Sequence, residues 1–257
     1  MPSIIHKGVQ LAYDDQGAGK PVFVFVHGVT GNRSNFAPQA SYFSRRHRVV
    51  AVDLRGHGES DKPEGPYPIT AYADDIAYII AQLELGKVVA VGHSMGGDIV
   101  LQLAVSYPDH VAAIVMLDPD QFVFPSEVRT GYEAIRKALE AGNQEPWRQQ
   151  LTTYGFLPTS DRKLVEDMIA VTMATPSHIA ARAFHGILQF DGKTLAEQCK
   201  VPALHLMPAD PSNPPHLMSQ WLPHVVNGMV VGAGHFIQLE VPEQVNAMIE
   251  GFMRHYN

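Results

Sequence analysis

Four short apolar runs set the tightest limit on the fold: Val22-Phe23-Val24-Phe25-Val26, Val49-Val50-Ala51-Val52, Val88-Val89-Ala90-Val91 and Ile114-Val115-Met116-Leu117. Each is a continuous stretch of β-branched or other apolar residues. Such runs suit strands buried on both faces, as in a parallel sheet covered by helices. Polar segments of helical length lie between them, among them Ala71 to Leu85, with Asp74 and Asp75 in its early turns. The alternation reads as repeated βαβ units and predicts an α/β fold. The strand texture returns in Val201-Pro202-Ala203-Leu204-His205-Leu206 and Met229-Val230-Val231, and an amphipathic helix is expected over Glu243–Tyr256.

Between these two halves the texture changes. Residues 120–196 carry no strand-like run, and helices are expected over Ser126–Ala141, Pro146–Tyr154, Asp161–Met173 and Ser177–Leu188. The simplest organisation is a core made of residues 1–119 and 197–257, with a helical insertion over 120–196.

Composition narrows the function classes. A hydrophobic fraction of 46% in 257 residues is enough for a packed core, so disorder is excluded as the main state. The net charge is −7, and the most basic stretch, Arg45-Arg46-His47-Arg48, reads as a helix end running into a strand; nucleic acid is not an expected partner. Cys199 stands alone, which rules out an internal disulfide framework and any multi-cysteine metal site. No apolar run approaches the ~20 residues needed to span a bilayer, and Met1 to Gly8 lacks a secretory core. A cytoplasmic protein with no membrane partner is the expectation. Neither H-E-x-x-H, a dinucleotide fingerprint nor a phosphate loop is present, since Gly17-Ala18-Gly19-Lys20 lacks the required spacing and following Ser/Thr. Accordingly no metal and no cofactor are expected.

Chemistry concentrates in Gly92-His93-Ser94-Met95-Gly96-Gly97, where a buried strand should hand over to a helix. This is the G-x-S-x-G nucleophile elbow. Small residues two before and two after the serine let strand and helix approach closely. The hydroxyl then projects above the sheet edge, and the helix N-terminus faces developing negative charge. A serine hydroxyl is a weak nucleophile and needs a base and an orienting group. Of 13 histidines, His235 in Gly232-Ala233-Gly234-His235-Phe236 is the candidate base, because it follows the last apolar strand on a glycine-flanked loop.

Two acids compete for the third role. Asp210 follows the Val201–Leu206 run and Asp118 ends the Ile114–Leu117 run, so each would sit at a carboxyl strand end, where α/β sites assemble. The order Ser…Asp…His holds for both; Asp210 is favoured and Asp118 is the alternative. His27-Gly28-Val29-Thr30-Gly31 ends the first long strand, and the Val29 and Met95 N–H groups are the natural oxyanion pair. His27 and His93, beside glycines at strand ends, are candidates for structural or pocket-lining roles.

These motifs identify the chain as resembling the α/β-hydrolase fold superfamily. Four of them run in the family's order over nearly the whole length: His27-Gly28, Asp53-Leu54-Arg55-Gly56-His57-Gly58-Glu59-Ser60, the Ser94 elbow and Gly234-His235. The resemblance implies a mostly parallel eight-stranded sheet flanked by helices, with a small helical cap after strand 6. It makes the D-x-R-G-x-G-x-S segment a structural turn and residues 120–196 the cap that largely sets substrate choice. One departure stands out. The loop carrying the family's usual acid more often begins with Gly, whereas Met207-Pro208 precede Ala209-Asp210 here, which leaves Asp118 open. Relatives that dehalogenate alkanes or open epoxides use an aspartate nucleophile, and Ser94 argues against both reactions.

The expected function is therefore that of a cofactor-independent serine hydrolase acting on a small-molecule substrate, a small to medium, partly apolar carboxylic ester or lactone. Alternatives are hydrolysis of a carbon–carbon bond in a β-diketone-like or ring-cleavage product, and a ligand receptor that keeps the triad. Perhydrolysis is an expected side reaction. Acidic substrates of the carbon–carbon reaction would call for a buried arginine, and Arg129, Arg136, Arg148, Arg162 and Arg182 are available in the insertion. Phe122 and Phe124 are expected at the pocket rim, with Trp147 a further candidate.

Overall fold

The computed structural model describes residues 2–256. Eight strands, β1 (Ser3–His6), β2 (Val9–Gln16), β3 (Val22–Val26), β4 (Val49–Val52), β5 (Val88–His93), β6 (Val111–Leu117), β7 (Ala203–Met207) and β8 (Val226–Met229), form one sheet in the order β1-β2-β4-β3-β5-β6-β7-β8. The β1–β2 and β2–β4 pairs are antiparallel; all others are parallel. Helices α1 (Ala37–Phe43), α2 (Ile69–Gln82) and α3 (Met95–Ser106) belong to the first half. Helices α4 (Ser126–Glu140), α5 (Glu145–Tyr154), α6 (Arg162–Met173), α7 (Ser177–Leu188) and α8 (Gly192–Gln198) fill the segment between β6 and β7. Helices α9 (Pro215–Trp221), α10 (Ile237–Glu240) and α11 (Pro242–Tyr256) complete the chain.

The continuous apolar runs do what two-faced burial demands. In β3, Val22, Val24 and Val26 point into one core with α2 and α3 residues such as Ile76 and Ile99. Phe23 and Phe25 point into the opposite core with Phe43 of α1 and Ile249 of α11. Alternate residues of one strand thus serve opposite faces, and none is left for water.

Strand order also places the site. From β3 the chain goes out to β4, then returns past β3 to β5, so the connections diverge between β3 and β5. In open α/β sheets ligands bind at the carboxyl ends of strands at such a switch point. The ends of β3 and β5 carry Gly28 and Ser94, and a Cβ added to Gly28 would stand 3.0 Å from the Ser94 Cβ.

Some boundaries differ from the sequence reading. The last strand covers Val226–Met229 rather than Met229–Val231; it is an edge strand with no fully buried residue, so it lacks the apolar texture that marks the central strands, and Val231 is exposed. The N-terminal hairpin β1–β2 carries no long apolar run. Its signal is the Lys7-Gly8 turn, where both residues have positive φ (49° and 79°), as a tight hairpin turn requires. No helix among the described residues is long and apolar enough to cross a membrane.

The β5–α3 junction leaves no space for larger residues. A Cβ on Gly92 would lie 2.0 Å from the Gly96 carbonyl oxygen, and one on Gly96 would lie 2.1 Å from that of Val26. Gly92→Ala is therefore expected to destabilise the fold by about 3 kcal/mol or more through overpacking against rigid backbone. The check is the urea midpoint at unchanged m-value; a midpoint equal to wild type would show that the strand and helix can part.

Candidate active site

Ser94 sits between β5 and α3 with φ 54° and ψ −126°, a strained region for a residue with a Cβ. The short connection forces it: the Ser94 N–H still donates to Leu117 O of β6, 3.0 Å, while its carbonyl already accepts from Gly97 N–H, 2.7 Å. Two neighbouring strand ends are strained in the same way, Thr30 after β3 (φ 58°) and Asp118 after β6 (φ 40°). Strained backbone gathers at functional sites more than elsewhere, and here it gathers at three consecutive strand ends.

His235 lies on the loop between β8 and α10. Its Nδ1–H donates to Asp118 Oδ2 at 2.7 Å. The other Asp118 oxygen accepts the Ser212 N–H at 2.9 Å, and Asp118 is only 2% exposed. The favoured reading of Asp210 is thus corrected: Asp118, not Asp210, faces the imidazole. Asp210 is exposed on the loop after β7, and that loop contributes the Ser212 backbone instead. The φ of 40° at Asp118 turns its carboxylate back toward the site. Burial pulls the His235 pKa down, but the hydrogen bond and charge of Asp118, with Asp120 and Glu240 behind it, outweigh burial and leave the pKa above its ordinary value.

The imidazole rests against His93, the residue before Ser94, with ring centroids 4.5 Å apart. His93 Nε2–H donates to the His235 carbonyl at 2.9 Å, and burial holds the His93 pKa well below its ordinary value, so it stays neutral. His93 thereby braces the His235 loop rather than lining a pocket. His27 is corrected likewise. Fully buried, it donates from Nδ1 to Gly28 O (2.7 Å) and accepts the Leu54 N–H at Nε2 (3.1 Å), tying the ends of β3 and β4. Burial takes its pKa down to about 4.

Val29 follows β3 and Met95 opens α3, so their backbone N–H groups belong to the two loops that meet at Ser94. The Asp53–Ser60 segment forms a turn held by its own side chains. Asp53 accepts from the Arg33 and Glu59 N–H groups, and Ser60 Oγ donates to Asp53 O at 2.6 Å. Arg55 makes a bidentate pair with buried Asp75.

Two further acids lie beside the nucleophile, and neither motif nor periodicity marks them. Asp120 is close enough to the Ser94 hydroxyl to be lowered by it, and accepts from the Tyr132 hydroxyl at 3.1 Å. Burial nonetheless raises Asp120 to about 6. Asp98, in the first turn of α3, has both carboxyl oxygens buried without a hydrogen-bond partner; burial, then the charge of Asp120, raises it well above the carboxylate range. Asp98 is therefore held neutral, which a buried unpaired carboxyl requires.

Over these groups lies an aromatic row from the helical insertion. Phe124 packs on Tyr132 (5.4 Å between centroids), Tyr132 on Phe184 (5.4 Å) and Phe184 on Trp147 (4.9 Å). The row is pinned at two points: Tyr132 Oη–H to Asp120 after β6, and Trp147 Nε1–H to Thr30 Oγ1 at 3.0 Å. Phe122 is corrected from rim to core. It is 3% exposed and packs against Phe190 and Trp221. The His/Cys/Asp/Glu side chains among the described residues form no cluster suited to a metal ion.

Residues 21–176 match the α/β hydrolase fold family. Among relatives, the chain is 38% identical over 136 residues to a 2-(acetamidomethylene)succinate hydrolase of Mesorhizobium japonicum, a match covering 53% of this chain and 47% of that protein. It is 23% identical over 246 residues to 3-oxoadipate enol-lactonase 2 of Acinetobacter baylyi, covering 93% of this chain and 91% of that one. Among solved structures it is similar to a thermophilic esterase from Thermogutta terrifontis, with a TM-score of 0.87 and 25% identity over 99% of this chain and 97% of that one. Across the match to the Mesorhizobium hydrolase the chain spans less than half of that protein's length. Sheet order, elbow and family match together show that the chain belongs to the α/β-hydrolase fold family.

Proposed function

We propose that the protein is a serine hydrolase that cleaves a small to medium, partly apolar carboxylic ester or lactone through an acyl-enzyme, without a cofactor. The observation that carries this reading is the 2.7 Å bond from His235 Nδ1–H to buried Asp118, beside a serine at a strained strand–helix turn. Asp118 fixes the tautomer, so that Nε2 is the free base. Ser94 Oγ attacks the carbonyl carbon as Nε2 takes its proton; the carbonyl oxygen, now negative, is received by the Val29 and Met95 N–H groups. Collapse expels the alcohol, which takes the proton from Nε2. Water then attacks the acyl-enzyme by the same route and releases the acid.

The helical insertion over 120–196 acts as the cap. Its row of Phe124, Tyr132, Phe184 and Trp147 gives the acyl or alcohol part an apolar roof and limits water at the site. The names of relatives and structural neighbours, an enol-lactonase and an esterase among them, support ester or lactone chemistry. The carbon–carbon alternative asks for a buried arginine facing the substrate, and four of the five cap arginines are paired with glutamates, although Arg182 Nη1 is buried without a partner. Arg136 pairs with Glu133 and Glu140, Arg148 with Glu145, Arg162 with Glu166 and Arg182 with Glu64, while Arg129 donates to Leu188 O. The groups near Ser94 are acidic instead.

Ser94→Ala should abolish turnover and the acyl burst on a p-nitrophenyl ester; activity within tenfold of wild type would overturn the reading. Asp118→Asn should lower kcat by about 10⁴-fold at unchanged melting temperature, as loss of the orienting acid does in such triads. Asp210→Asn should stay within about threefold of wild type, since surface substitutions away from structural features change little. The base works when neutral, so the rate should fall as pH drops through a value raised above histidine's ordinary one, and Asp118→Asn should move that limb to lower pH. In an ester series, neutral substrates should outrun anionic isosteres by tenfold or more, about 1.4 kcal/mol in barrier; the reverse preference would favour the carbon–carbon alternative.

A further inference from the structure

The base sits on a loop that the sheet alone does not hold. Gly232–His235 follows β8 and precedes α10, and its backbone is fastened at two adjacent points. The His235 N–H donates to Gly155 O at the end of α5, 3.0 Å. The Gly234 N–H donates to Glu240 Oε1 at the end of α10, 2.9 Å. The second carboxylate oxygen of Glu240 accepts from Ser160 Oγ, in the turn between α5 and α6. Ser160 is itself set in place, because its Oγ also accepts the Leu157 N–H at 2.9 Å. The fit is tight: a Cβ on Gly234 would meet Gly155 O at 2.8 Å and Phe156 Cα at 2.9 Å. Phe156 stacks on Phe236, the residue after His235, at 4.8 Å and 13°.

We propose that Glu240 is a positioning residue for His235, and that through Glu240 and Gly155 the helical insertion sets where the base stands; this rests on the serine-hydrolase reading above. Glu240 acts in two ways. Its oxygens bridge the His235 loop to Ser160, which fixes the path of the backbone one residue before the imidazole. Its charge also favours the imidazolium that forms during proton transfer. Burial raises the Glu240 pKa against the pull of Ser160, the Gly234 N–H and His235, so the carboxylate is half-desolvated and acts at short range. The groups facing His235 are Asp118, Asp120, Glu240 and the neutral ring of His93. Glu240 alone among the three acids binds both the loop and the insertion.

Glu240→Gln and Glu240→Ala separate the two actions. Gln keeps an oxygen for the Gly234 N–H and loses the charge; Ala loses both. In both variants the His235 titration, followed by NMR of ¹³C-labelled histidine in substrate-free protein, should move to lower pH, and the acid limb of the pH–rate profile should follow it. On a p-nitrophenyl ester, Glu240→Ala should lower kcat by about 10-fold or more with KM little changed, because a misplaced base of about 1 Å costs up to 10²-fold. Glu240→Gln should recover most of that loss, and Ser160→Ala should lower kcat less than Glu240→Ala while leaving the acid limb in place. An unmoved His235 titration in Glu240→Gln overturns the proposal, as does a kcat loss equal in Gln and Ala at equal melting temperature. Ser94→Ala run alongside isolates the underlying reading. The NMR titration needs no turnover and decides the role of Glu240 even if Ser94 is not the nucleophile.

Discussion

Everything at the site depends on how closely α3 approaches the sheet. Gly92 and Gly96 bring the helix onto β5 and the Val26 carbonyl with no room for a methyl group. At that separation only a sharp turn can join strand to helix, and the single residue left to make it is Ser94 at φ 54°. Strain of this kind costs of order 1–3 kcal/mol for each residue. The cores on both faces of the sheet, with side chains such as Val24, Phe25, Ile76 and Ile249 shut away from water, offset it. The nucleophile candidate is therefore placed by backbone geometry, and it stays buried, with its hydroxyl close to Asp120.

The same reasoning explains why the neighbouring residues are shared out as they are. Neutral histidines hold the loops while charged acids hold the base. His27 and His93 are buried deeply enough to stay uncharged; His27 gives a donor and an acceptor to backbone groups, and His93 donates to one backbone carbonyl. Asp118 uses both oxygens, one on His235 and one on Ser212. Behind Ser94, Asp120 adds negative potential once it ionises, at about 6, while Asp98 is held neutral by burial and adds none. An environment of this sign suits a developing imidazolium and discourages a substrate carboxylate.

Much of this was legible in the sequence because it is local. The apolar runs encode two-faced strands within five residues, and the elbow encodes its turn within six. The choice between Asp118 and Asp210 was not local. Both follow strands and both precede His235, and what separates them is a φ of 40° at one and the placement of a loop on the other's strand. Phe122 shows the same limit: its neighbours Phe190 and Trp221 come from distant segments, so a rim and a core position look alike in sequence. Edge elements fared worst. Val226–Met229 and the β1–β2 hairpin expose much of their length and so lack the hydrophobic signature that betrays the central strands. Tyr132, Asp120 and Glu240 carry no motif; their importance comes only from what the fold sets beside them.

The loop after β7 has the opposite character. Its exposed aspartate touches nothing at the site, yet two residues further on Ser212 binds Asp118, and then Asn213 is buried. The Asn213 amide donates to Pro119 O and Asp120 O, and its oxygen accepts the Phe122 N–H. One side chain thus stitches the backbone on which both acids sit. The loop acts as a brace, and its tolerance of change should vary sharply over a few residues. Ala209 to Pro211 are open to drift in sequence and length, whereas Asn213, which meets no substrate, is as constrained as the acids it steadies.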